Sequence, residues 1–382
     1  MKIVVPKEII PGEERVALVP GVVEKLVKSE YQVAVETGAG SASGYPDSEY
    51  EKAGAVIAKS VTDLYKDANV VLKVRPPAEH PAEKKNEAEL MPENAILISF
   101  LEILRNPGIA EILAKNKITA FSMDTVPRIS RAQSMDALSS QASAAGYKAV
   151  LIAAESSHKF FPMLTTAAGT IPPAKVFVIG AGVAGLQAIA TAKRLGATVE
   201  GFDIRPAAKG EVESLGAKFV QVDLGESAEA DGGYAKEVSE EAKKKEHEAV
   251  HQHVAMSDIV ITTAAVPGKK APLLVTADMV KDMKPGSIVV DMAVEQGGNV
   301  EGSKAGEIVD VNGVKIIGPV DLPSKMSIHT SMMYAKNITS LLNLLIKDGK
   351  TEVDFEDEII KGSCITHGGE IVHEQTKQLL KN

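Results

Sequence analysis

Gly180, Gly182 and Gly185 stand at the spacing G-x-G-x-x-G, between the apolar run Val176-Phe177-Val178-Ile179 and a helical pattern over residues 183–195 that Gly196 closes. A strand, a glycine-rich turn and a helix in that order make a pyrophosphate cradle. The first glycine permits the tight turn, the second lets backbone approach the phosphates, and the third lets helix and strand pack closely. The phosphates then lie at the positive end of the helix. Asp203 closes the next strand pattern, about twenty residues on, where a carboxylate accepts hydrogen bonds from ribose hydroxyls and repels a 2′-phosphate. NAD is therefore expected rather than NADP, while Arg205 beside it could instead hold that phosphate. A bare Gly-rich turn also occurs in α/β proteins that bind no nucleotide. Here the strand, turn, helix, strand and acid occur together and in order.

Three other segments carry chemical groups. His247-Glu248-Ala249-Val250-His251 matches H-E-x-x-H, a pattern for two zinc ligands and a general base. A zinc-binding helix of that type is buried, whereas Lys243, Lys244, Lys245 and Glu246 precede this one. Glu240–Lys244 and Glu241–Lys245 form i,i+4 pairs on what reads as a solvated helix over residues 237–253, so no metal is expected. Arg128, Arg131, Gln133 and Asp136 crowd one turn before a long helical pattern over residues 134–161. The turn reads either as a capping box from Ser130 to Gln133, with Asp136 near the helix N-terminus, or as a set of donors and acceptors for a carboxamide. Residues 227–234, Gly-rich and ending at Tyr234, are longer than an ordinary strand-to-helix loop. They suit a mobile flap, or a loop that Tyr234 merely anchors.

Short β-branched runs alternate with helical patterns throughout, which predicts parallel sheets with helices on both faces. Residues 3–5, 32–36, 70–74, 95–99 and 118–122 are strand candidates in the first stretch, which lacks a Gly-rich turn after its first strand. Six more, residues 175–179, 198–203, 218–223, 258–263, 287–292 and 314–318, suffice for a complete dinucleotide-binding domain. A further helical pattern over residues 326–346 has no strand partner there and is read as returning to the first domain. The expected fold is thus α/β, with two doubly wound Rossmann-like domains and the second inserted into the first. Their bounds are residues 1–140 with 326–382, and residues 141–325.

The 382 residues suit two or three domains, and a hydrophobic fraction of 45% supplies large cores. A net charge of −9 argues against nucleic acid or an anionic membrane surface as partner. Cys364 is the only cysteine, which excludes an internal disulfide and fits a reducing cytosol. No run of 18 apolar residues occurs, so direct membrane insertion is not expected.

Taken together, several segments resemble the soluble NAD(H)-binding component, domain I, of proton-translocating nicotinamide nucleotide transhydrogenase. They are Lys7-Glu8 with residues 12–17, residues 127–136, the turn Gly180 to Gly185 with residues 187–192, and Gly232-Gly233-Tyr234-Ala235. Pro267-Gly268-Lys269, residues 291–295 and Gly297-Gly298-Asn299 complete the set. The resemblance implies that Gly180, Ala181, Gly182, Val183, Ala184, Gly185, Asp203, Ile204, Arg205, Thr262 and Ala264 bind NAD(H). It implies a nicotinamide pocket of Arg128, Gln133, Asp136 and Ser139, with Gln133 also facing NADP(H) on a partner subunit and Tyr234 on a closing loop. Partner subunits would carry the NADP(H) site and the membrane span, and the chain would be a homodimer. It would then be cytoplasmic, peripheral to the inner membrane through those subunits.

Alanine dehydrogenase shares the pattern, and its substrate site resembles the segments around Arg15 and Leu72-Lys73-Val74. Its catalytic lysine and histidine would fall at Arg75 and near Glu102. A guanidinium stays protonated and a carboxyl is no imidazole, so the acid/base pair of that chemistry is absent. Hydride passage between two nicotinamides needs neither group.

Overall fold

Strands buried on both faces read as unbroken apolar runs, and the computed structural model, which describes residues 1–222, 239–265, 268, 270–347 and 349–381, builds two sheets on them. The first runs Glu370–Ile371, Cys364–His367, Thr119–Ser122, Ile96–Ser99, Val70–Leu72, Lys2–Val5, Gln32–Glu36, Val56–Ala58. Its six strands from Thr119–Ser122 to Val56–Ala58 are parallel, and the two beyond are antiparallel. The second runs Lys218–Phe219, Thr198–Phe202, Lys175–Ile179, Ile259–Thr262, Ile288–Asp291, Val314–Ile317, Ile308–Val311. It is parallel except for its last strand.

Both sheets are doubly wound. In the first the chain reverses direction across the sheet between Lys2–Val5 and Val70–Leu72, and in the second between Lys175–Ile179 and Ile259–Thr262. Ligands of such sheets bind outside the carboxyl ends of the strands at that reversal. One compact unit comprises Met1–Gln141 and Pro323–Asn382, the other Ala142–Leu322. The second is therefore an insertion into the first.

Within the first unit, Leu72, Ile98, Phe121 and the return-helix residues Tyr334, Ile338 and Leu341 fill one face of the sheet. Val71, Leu97, Leu64 and Leu113 fill the other. Each such side chain contributes roughly 1.5–3 kcal/mol on burial. The return helix spans Ser327–Leu345, and its buried face follows the i, i+4, i+7 spacing expected of an amphipathic helix.

Three expectations need correction. The second sheet has seven strands, because half-exposed Ile308–Val311 pairs antiparallel at its edge. The long helix is shorter than the pattern over residues 134–161: a 3-10 helix over Ser130–Met135 precedes an α-helix over Ala137–Ser156. The Ser130 capping box does not form, since Ile129 is the flanking residue and makes no side-chain cap. Asp136 is the cap instead, accepting the Ser139 N–H at 2.9 Å and the Ser139 hydroxyl at 2.6 Å.

Candidate functional site

The Gly-rich turn follows Lys175–Ile179, and its steric demands separate the three glycines. Gly180 has φ +96°, and a Cβ there would lie 2.7 Å from Thr263 Oγ1. A Cβ at Gly185 would lie 1.8 Å from the Gly180 carbonyl oxygen. These two let the helix Val183–Arg194 pack against strand and turn. Gly182 is different: nothing lies within 4 Å of its would-be Cβ, and it is exposed. Its lack of a side chain serves the space outside. Gly182 also starts the helix without any side-chain cap, leaving first-turn N–H groups for an anion.

Asp203 sits at the end of the neighbouring strand. Its carboxylate accepts the Ala181 N–H at 2.8 Å and the Arg205 N–H at 2.9 Å, and it pairs with the Arg205 guanidinium at 2.9 Å. Arg205 also donates to the Ala181 carbonyl at 3.3 Å. Acid and arginine are thus one clamp across the turn. Beside them Ile204, Phe219 and Val222, with Asp203, Pro206, Lys209 and Gln221, line a cavity of about 80 Å³. On the other side of the reversal, Thr263 donates to the Gly180 carbonyl at 2.9 Å. Two further residues have contacts to which the sequence reading assigned no role. Asn299 donates to the carbonyls of Ala264 and Pro272, both at 2.8 Å. Buried Asp291 accepts from Thr262, Ala293, Asn299 and Val300. Their sequence signal was membership of two of the resembling segments, residues 291–295 and Gly297-Gly298-Asn299. The open space at Gly182, the uncapped helix end and the cavity fit a dinucleotide.

In the first unit, the 3-10 helix leaves Arg128, Arg131 and Gln133 exposed and places Asp136 with Ser139 one turn on. At this unit's own chain reversal there is no Gly-rich turn. Pro6 follows the first strand, and charged side chains fill the strand ends. Buried Lys73 lies 2.8 Å from Glu87 and 3.3 Å from Glu8. Burial pushes the Glu8 carboxyl up, against the pull of Lys73. Burial would lower the Lys73 ammonium, but the two carboxylates outweigh it and raise it. Arg15 is gripped by Glu13 at 2.6 Å and donates to Gln141 at 2.8 Å. Burial would raise the Glu13 carboxyl, yet Arg15 holds it below its usual range. Arg75 pairs with Glu102 at 3.1 Å, and Glu102 takes φ +51° where Asp124 accepts the Leu101, Glu102 and Ile103 N–H groups.

Tyr234 lies outside the described residues. His247 and Glu248 are exposed, and His251 instead meets Asp282 at 2.7 Å. No cluster of three or more His, Cys, Asp or Glu able to hold a metal occurs among the described residues. Among them, too, no helix is long and apolar enough to cross a membrane.

Two doubly wound units, one carrying a dinucleotide cradle at its reversal, define a two-domain Rossmann-like protein. Residues 4–145 match the family described as "Alanine dehydrogenase/PNT, N-terminal domain" and residues 149–374 its "Alanine dehydrogenase/PNT, C-terminal domain". The chain belongs to the alanine dehydrogenase/PNT family. It is 50% identical to the first of the pieces that make up the NAD(P) transhydrogenase alpha subunit of Rhodospirillum rubrum, over 98% of both chains. The crystal structure of a transhydrogenase from Sinorhizobium meliloti superposes with a TM-score of 0.87, at 45% identity, covering 97% of this chain and 100% of that one. Alanine dehydrogenase of Staphylococcus epidermidis is more distant, 33% identical over 79% of this chain and 74% of its own.

Proposed function

We propose that this chain is the NAD(H)-binding component of a proton-translocating, Re/Si-specific NAD(P) transhydrogenase. It exchanges hydride directly with NADP(H) held on a partner subunit, and a separate membrane component couples that exchange to proton translocation. The chain works as a homodimer, peripheral to the inner membrane on its cytoplasmic side.

The Arg75–Glu102 pair carries the choice between the two activities of the family. An amino-acid dehydrogenase must move protons on and off a substrate nitrogen and oxygen. At the positions that resemble its lysine and histidine, this chain has a permanently charged guanidinium and a carboxyl, 3.1 Å apart and neutralising each other. Direct exchange between nicotinamides needs no acid or base, only approach and exclusion of water.

NAD(H), when bound, supplies or accepts the hydride. The turn Gly180, Ala181, Gly182, Val183, Ala184 and Gly185 receives its pyrophosphate, with the first-turn N–H groups from Gly182 onward as donors, since those of Gly180 and Ala181 are already bonded to Phe202 and Asp203. Asp203, Ile204 and Arg205 receive the adenosine, and Ala264 forms the opposite wall, which buried Thr262 supports from behind and Asn299 steadies. Arg128, Gln133, Asp136 and Ser139 orient the nicotinamide, and Tyr234 belongs to the segment that shields it.

The test is isotopic. Mixing the chain with the NADP+-loaded partner subunit and NADH deuterated at the transferred position should put deuterium into NADPH and none into water. Label in solvent, or sustained NADH formation from L-alanine and NAD+, overturns the reading.

A further inference from the structure

The geometry points to Asp357 and Asn337 as positioning residues that hold the exposed turn carrying Arg128 and Gln133; this deepens the proposed function and rests on it. The turn has little structure of its own, since a 3-10 helix as short as Ser130–Met135 is weakly bonded. Two elements more than 190 residues away in sequence hold it. From the return helix, Asn337 donates to the Ser134 carbonyl at 2.8 Å and accepts the Ser140 hydroxyl at 2.7 Å. One amide thereby ties the end of the 3-10 helix to the start of the α-helix. From the short helix Glu358–Ser363, the capping residue Asp357 takes both ends of the Arg131 guanidinium, at 2.6 and 2.7 Å. Gly362 on the same helix lies so close that a Cβ would sit 3.2 Å from Pro127 Cδ.

Turn entry, middle and exit are therefore each fixed, while Gln133 and Arg128 remain exposed. A two-point fork specifies orientation as well as distance, which a lone contact does not. Arg131 itself is half-exposed, so the pair adds little to global stability. Its value lies in keeping neighbouring side chains on one bearing, where a misplacement of about 1 Å costs a large factor in rate.

The experiment is a cycle of Arg131→Met, Asp357→Asn and the double variant in the full chain, assayed with the NADP(H)-binding subunit. Asparagine still caps the helix, so folding is preserved. Each single variant should lower the hydride-exchange rate by roughly 10-fold, leave the NADH dissociation constant unchanged and cost only the small stability of an exposed ion pair, and the double should lose no more than either single. Losses that multiply in the double would show that Arg131 acts directly and Asp357 does not position it. Wild-type rates in Asp357→Asn would equally overturn the proposal. Gln133→Ala is measured alongside: if it too keeps the wild-type rate, the turn is not the exchange site and the underlying reading fails, whereas a slow Gln133→Ala beside a fast Asp357→Asn refutes the brace alone.

Discussion

Ala181 and Asp203 are joined by a 2.8 Å hydrogen bond from the backbone N–H of the first to the carboxylate of the second. The acid that sequence reasoning assigns to ribose thus also tensions the phosphate turn, and it holds Arg205 in place. Asp203→Asn keeps an acceptor for Ala181 but gives up the ionic grip on Arg205. NADH affinity should fall by roughly ten-fold, about 1.5 kcal/mol, as expected when a charged hydrogen bond becomes neutral. NADPH should be rejected less strongly. Titration of both nucleotides by calorimetry checks this, and an unchanged NADH/NADPH ratio contradicts it.

Gly182 and Gly185 should part company on substitution to alanine. At Gly185 the new methyl collides with the Gly180 carbonyl, so the protein should unfold several degrees earlier. At Gly182 the methyl enters open space, leaving thermal stability alone while blocking phosphate approach. The pair of melting curves and NADH titrations distinguishes packing from ligand contact.

Acid should expose the Arg131–Asp357 fork. The guanidinium hydrogen bond holds the Asp357 carboxyl down to about 2, from 3.8. A depressed carboxyl stabilises the fold above its unfolded value and loses that contribution as pH falls. The stability gap between the wild type and Asp357→Asn should therefore be constant above about pH 4 and close between there and about pH 2. Denaturant midpoints across that range measure it; a gap that persists in acid counts against the pair.

Cys364 is fully buried, and burial pushes its thiol up to about 12. Thiolate is the reactive form. Iodoacetamide at mildly alkaline pH should leave the native protein unmodified and label it once denatured, read by intact mass. Rapid native labelling would mean that the strand Cys364–His367 detaches readily from the sheet.

The sheets were legible where burial is two-sided. Lys175–Ile179 and Gln32–Glu36 were found because their apolar residues, Val176 to Ile179 and Val33 to Val35, are consecutive and all buried. Ile308–Val311 and Val56–Ala58 were missed for the converse reason: they are four- and three-residue strands at sheet edges, with Val56 and Ile308 exposed, too short to stand out. The start of the long helix was misplaced because Ser130, Gln133 and Asp136 all suit a helix N-terminus, and only tertiary contacts such as that from Asn337 decide among them. The cradle was legible because its glycines answer to local sterics. Asn299 and Asp357 were not, since each acts on residues far off in sequence.

The antiparallel strand Cys364–His367 lies against Thr119–Ser122, some 240 residues earlier. During synthesis, the inserted unit, residues 142–322, is complete in sequence while the first sheet still lacks that partner. Until Cys364 emerges, Thr119–Ser122 presents an unpaired ladder of backbone groups to any passing chain. The unit begun first is the last to close, so a chain interrupted after residue 322 would carry a finished dinucleotide cradle beside an adhesive edge.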